Sequence, residues 1–126
     1  MPPAAAHRER DRGQATVELA LCLPMLCLLL LGVVQVAVVV RDQLAVQLAA
    51  REAARAAAVA ADPGGAGGAS AVAAVSLRPL EVAVVSNGTA VTATVRFVDH
   101  TDVPLIGALL ADITVSASAT MQLEPP

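Results

Sequence analysis

Apolar and polar positions divide the chain into three regimes. From Leu19 to Val40 there are 22 consecutive positions without a charge, and eight Leu and six Val dominate them. At a helical rise of about 1.5 Å per residue this stretch spans roughly 33 Å, against a hydrocarbon core of about 30 Å. Fourteen Leu and Val favour membrane insertion by about 4–8 kcal/mol before Pro24, Gly32 and Gln35 subtract their part. A cleaved secretory signal has a shorter apolar run followed by a small-x-small site, whereas Arg41-Asp42-Gln43 follows directly here. Leu21 and Leu26 precede Cys22 and Cys27, where a lipoprotein signal needs a small residue. Both cysteines therefore read as small apolar fillers of the span.

The helix signal is longer than the span. It starts near Gln14 and runs to Ala61, where Asp62-Pro63-Gly64-Gly65 stops it. Pro24 lies inside; its missing N–H frees the carbonyl of Ala20, which predicts a kink or local melting. Beyond the membrane, at 100° per residue, Ala45, Ala49, Ala53, Ala56 and Ala60 share one side, and Leu44, Leu48, Arg51, Arg55 and Val59 another. A smooth alanine face lets a neighbouring element approach closely.

A period of two takes over after residues 62–70 (DPGGAGGAS), which read as a flexible linker. Ala71–Leu77 has the length of a short helix. Leu80–Val85 and Ala90–Val98 flank Asn87-Gly88, a strong hairpin signal. A two-residue loop there pairs Val84 with Val91, Val82 with Ala93 and Leu80 with Val95, with Glu81 opposite Thr94. Ile113–Leu123 then alternates strictly and predicts a third strand. Val103–Leu110 between them reads as an apolar loop or short helix. The 56 residues from Ala71 onward are few for an independent core. They are expected to need the helix or a partner subunit to cover the apolar sheet face.

Composition narrows the function. The chain is 56% apolar with one aromatic, net charge −3 and no lysine. That excludes a nucleic-acid surface, which needs a basic face and stacking aromatics, and any lysine-dependent phosphate loop. No disulfide framework is available outside the span. His100, between Asp99 and Asp102, is the one conceivable acid–base or metal group, but a catalytic metal site needs about three protein ligands. Gly68-Ala69-Ser70 lacks the glycine that a nucleophile elbow needs after its serine. Asn87-Gly88-Thr89 matches a glycosylation sequon, and the turn explains it. Neither catalysis, nor a metal or cofactor, nor a small-molecule substrate is expected.

The sharp motif is the junction Arg12-Gly13-Gln14-Ala15-Thr16-Val17-Glu18. A short charged leader ending in Gly, with Glu at the fifth following position, resembles the class III signal of type IV pilin-like proteins. The stretch GQATVELALCLPMLCLLLLGVVQ is similar to the TadE family of Tad/Flp pilus assembly proteins, which share the Gly-x4-Glu junction, a Pro six residues after the Glu (Pro24) and a later Gly (Gly32). The final strand also resembles that family's last strand. Leu19 differs from the aromatic that often follows the Glu, and Gln14 from the apolar first residue of major pilins. The resemblance implies cleavage by a membrane prepilin peptidase between Gly13 and Gln14, and a pseudopilin or minor-pilin role among other pilin subunits and the Tad machinery. Glu18 at the membrane edge is costly unless paired or hydrated. It can pair with the new amine of Gln14 on a neighbour and set axial register, or stay hydrated at the helix start.

The expected architecture is α+β: a long N-terminal transmembrane helix continuing outside the bilayer, then a small antiparallel three-stranded sheet. The expected layout is a cytoplasmic leader (1–13), the helix (14–61, with 19–40 in the bilayer), the linker (62–70) and an exported module (71–126). The short polar head argues for a cytoplasmic N-terminus. The alternative is a signal-anchored surface protein, never processed, whose β module binds a protein partner.

Overall fold

The computed structural model describes residues 5–99 and 112–123, with side chains from Gly13 onward. Its elements are α1 (Ala5–Val59), α2 (Pro63–Ala74), β1 (Glu81–Ser86), β2 (Ala90–Asp99) and β3 (Ile113–Gln122). The three strands form one antiparallel sheet in the order β1-β2-β3. The class is α+β, with the long apolar helix leading. The segment 103–110, expected to be a loop or short helix, lies outside the described residues. The chain divides into two units, residues 1–36 and 37–126.

In the first unit, α1 begins at Ala5 and not near Gln14. Arg and Glu are good helix formers, and the single Gly13 costs only about 1 kcal/mol, too little to stop propagation. Helical geometry also runs through Pro24. Of the two outcomes expected at Pro24, a kink or local melting, the melting does not occur: the proline removes one helical hydrogen bond, and helical geometry continues on both sides of it.

In the second unit, the C-terminal part of α1 turns a stripe of small residues inward. Asp42, Val46, Ala49, Ala50, Ala53, Ala54, Ala57 and Ala58 are buried, at the i, i+3, i+4 spacing of one helix face. Ala45, Ala56 and Ala60, expected on that face, are only half-buried, so the stripe is rotated toward Val46, Ala50 and Ala54. Leu44, Leu48, Arg51, Arg55 and Val59 are exposed, as their shared side predicts. The stripe packs with Val95 and Phe97 of β2 and Val115 of β3, flanked by Val82 and Val84 of β1. Period two in the strands and 3.6 in the helix thus converge on one core.

Residues 62–70 are not a linker. Four glycines in a twelve-residue helix cost about 4 kcal/mol relative to alanine, so local propensity argues against α2. Three features offset this. The Asp62 carboxylate accepts a hydrogen bond from the Gly65 N–H at 3.3 Å, Pro63 occupies the first turn, and Gly67 packs tightly. A Cβ at Gly67 would lie 2.9 Å from Val84 Cγ2, 3.1 Å from the Ala53 carbonyl and 3.4 Å from Ala57 Cβ. Only a glycine allows α2 to meet α1 and β1 this closely. At the other end, the Arg78 guanidinium donates to the carbonyls of Val72 (2.8 Å), Val75 (3.0 Å) and Leu77 (2.6 Å). It satisfies acceptors that the end of a helix leaves open.

The hairpin forms with a different register. Val84 pairs with Ala93, Val82 with Val95, and Glu81 stands opposite Arg96. The Asn87 N–H donates to the Ala90 carbonyl at 3.0 Å, so the two-residue loop is Gly88-Thr89. Gly88 takes φ +88°, as the first central residue of a type II′ turn requires. The Asn87 side chain accepts from the N–H groups of Thr89 (3.2 Å) and Ala90 (2.8 Å), an Asx turn that accounts for the sequon's residues. Displacing the apex by one residue moves every pairing by two, so the same side chains stay inside.

Two glycines one residue apart should respond oppositely. Gly68→Ala, where a Cβ meets open space, is expected to stabilise by up to about 1 kcal/mol. Gly67→Ala gains the same propensity but overpacks at about 1–3 kcal/mol, a net loss of up to about 2 kcal/mol. Thermal unfolding of the full chain in detergent, followed by circular dichroism, measures both.

Candidate functional site

The candidate site is the start of the apolar stretch, within the first unit. Every side chain from Gly13 to Leu31 is exposed. The most apolar 18-residue window of the helix has mean hydropathy 2.7, and 6% of it is buried. Large Leu and Val side chains so fully uncovered do not belong to a soluble core. By length and composition this helix can cross a membrane, compatible with single-pass anchoring. Cys22 and Cys27 are free and exposed on it. The apolar hollow between Leu19, Cys22, Leu23 and Leu26 is a furrow on one helix.

Gly13 and Gln14 lie inside α1. A Cβ added at Gly13 would meet nothing within 4 Å. Packing does not require a glycine there. Gln14 Nε2 donates to Glu18 Oε1 at 3.4 Å, an exposed contact one helical turn apart. Glu18 thus lies one helical turn from Gln14, on the same exposed side of α1. Pro24 sits six residues further, on the exposed stretch.

A model of the family described as TadE-like protein matches residues 13–55. Over these residues the chain is similar to that family. The match opens on Gly13 and includes Glu18, Pro24 and Gly32. It continues past the apolar run through most of the alanine stripe. It ends before α2 and the sheet. No curated protein and no solved structure matches the chain.

Among the described residues, no three His, Cys, Asp or Glu side chains group to hold a metal ion. His100 lies outside the described residues.

The structure adds polar groups that the motif does not include. Gln35 and Asp42 are buried at 7% and 4% exposure. They are seven residues apart, two turns of a helix, and Asp42 is in phase with Val46, Ala49 and Ala53. Extending the alanine stripe backwards by helical phase would have found both. Gln43 Nε2 donates to the Ser116 carbonyl of β3 at 3.1 Å, a pairing across 73 positions for which the sequence holds no signal.

If α1 is inserted in a bilayer, Leu29→Arg costs about 3–4 kcal/mol at the centre of the span. A large fraction of the protein should then become extractable from membranes by alkaline carbonate, while the conservative Leu29→Ile stays embedded.

Proposed function

We propose that this chain is a TadE-like pseudopilin or minor pilin that supports assembly of a Tad/Flp-type pilus. The observation that carries this reading is the match over residues 13–55, which opens on Gly13. The glycine has no packing partner that would explain it, and the Leu/Val side chains after it are bare. A membrane prepilin peptidase would cut the Gly13–Gln14 bond on the cytoplasmic side, leaving the segment after Val40 extracytoplasmic. Cleavage requires the bond to leave helical geometry. Gly13 lowers the cost of that opening, because glycine favours the helix less than alanine by about 1 kcal/mol.

The mature chain would act by lateral packing and would carry no catalytic group. Exposed Val40, Leu44 and Leu48, each four residues from the next, form a ridge suited to a neighbouring helix. Cleavage turns Gln14 into a cationic amine one turn from Glu18. In hydrocarbon, two such rods lack a hydrophobic force to align them. A Glu18 carboxylate that meets the Gln14 amine of the adjacent subunit supplies that alignment, because the alternative is an unpaired charge at the membrane edge. The partners are therefore the peptidase, other pilin or pseudopilin subunits and the lipid bilayer.

Intact-mass spectrometry of protein extracted from peptidase-containing cells is expected to show a chain starting at Gln14. Gly13→Val should retain the head. An intact Met1 head on the wild-type protein would instead favour an unprocessed, signal-anchored surface protein. Glu18→Gln is expected to leave the cut in place and lower assembled pilus about tenfold, equivalent to about 1.4 kcal/mol per contact. Shear-released filaments measured by immunoblot would show it.

A further inference from the structure

Among the described residues, the order β1-β2-β3 leaves the far side of β3 without a neighbouring strand. The hydrogen-bond phase of the sheet identifies its free groups. Asn87 bonds to Ala90, so Ala90, Thr92, Thr94 and Arg96 turn their backbone groups toward β1, and Val91, Ala93, Val95 and Phe97 toward β3. Through the pairs Val91–Met121, Ala93–Ala119, Val95–Ala117 and Phe97–Val115, the odd-numbered residues of β3 face β2. The N–H and C=O groups of Thr114, Ser116, Ser118 and Thr120 point away from the sheet. The bond from Gln43 to the Ser116 carbonyl, which arrives from outside, agrees with this phase.

Apart from the Gln43 bond at Ser116, the sequence of β3 carries none of the usual guards of a sheet edge. β3 is ten residues long and contains no charge, proline or glycine, the features by which natural sheets keep an edge from pairing. It is also self-complementary. Thr114-Val115-Ser116-Ala117-Ser118-Ala119-Thr120 reads almost identically in both directions about Ala117.

The geometry points to a second copy of this chain as the occupant, adding its own β3 antiparallel to this edge with Ala117 opposite Ala117 of the second copy. In that alignment Thr114 faces Thr120 of the second copy, and Ser116 faces Ser118 of the second copy. Such hydroxyl pairs already occur in this sheet, where the Thr92 and Thr120 side chains meet at 2.8 Å. On the opposite face, Val115 meets Ala119 of the second copy. Sliding by one step of the ladder puts Thr120 against Asp112, or Thr114 against Gln122, and loses the match. The contact is isologous and closes at two copies, giving a six-stranded sheet. The carbonyl of Ser116 keeps a second lone pair for the new strand while Gln43 holds the first. This inference stands apart from the pilus reading and needs no processing of the head.

The test uses the full chain in detergent with Cys22→Ser and Cys27→Ser. Directly opposed residues of a non-hydrogen-bonded pair have Cα atoms about 4.5 Å apart, within disulfide reach. Ala117→Cys should give a covalent dimer on mild oxidation, at least fivefold more than Ser118→Cys or Ala83→Cys. Adding Ser118→Lys should reduce that dimer at least fivefold. A dimer yield at Ala117 no greater than at Ala83, or no effect of Ser118→Lys, overturns the proposal. A nitroxide at exposed Thr120→Cys tests it without touching the core. The proposed register separates the two labelled backbones by about 20 Å, six residues along the strand, and pulsed dipolar spectroscopy that finds no such separation also overturns it.

Discussion

The fold of the second unit depends on how closely backbones can approach over the alanine stripe of α1. Where Gly67 of α2 crosses Ala53 and Ala57, nothing larger than hydrogen fits. Alanine and glycine remove little apolar area each, so their contribution is geometric. They bring three elements within contact distance, and β2 then buries Val91, Val95 and Phe97 in the space that remains. Dispersion between closely packed small groups replaces the bulk that large aromatic side chains supply in most domains of this size. The core has one aromatic ring, and its members pack without a disulfide among the described residues.

A single helix is thereby built from two compositions with opposite surface logic. Between Gly13 and Leu31 its apolar side chains all point outward, which water disfavours and lipid accepts. From Asp42 onward the inward stripe is small and the outward side mixes Arg51 and Arg55 with Leu44 and Leu48. Burial of Gln35 and Asp42 marks where a purely apolar description of α1 ceases to apply.

Much of this was readable from periodicity. A charge-free run of Leu and Val announces a helix long and apolar enough to cross a membrane, and strict alternation over 113–123 announces a strand facing a core. The Gly-x4-Glu junction pointed to the same family as the match over residues 13–55. What escaped was decided by contacts between distant residues. The glycines of α2 look like a linker because propensity is local, whereas their helix is held by Asp62, Arg78 and the narrow gap beside Val84. The angular setting of the stripe differed because Val46, Ala50 and Ala54 meet the sheet, and no count of alanines reveals which side a sheet will take. Before Gly13, Arg and Glu carry the helix back to Ala5, where polarity alone had suggested an end. The bond between Gln43 and Ser116 depends on a fold that must exist before the two can meet.

The hairpin apex carries one more consequence. Alignments that turn at Asn87-Gly88 or at Gly88-Thr89 enclose the same valines and alanines, so burial barely distinguishes them. Selection falls to a few short-range features: the backbone twist at Gly88, the three bonds to the Asn87 side chain, and the Leu123 N–H that reaches the Thr89 carbonyl at 2.9 Å. A nascent chain thus meets a near-degenerate rival in which the two strands are offset by a pair, and the arrival of the last strand clamps the apex and locks out that rival.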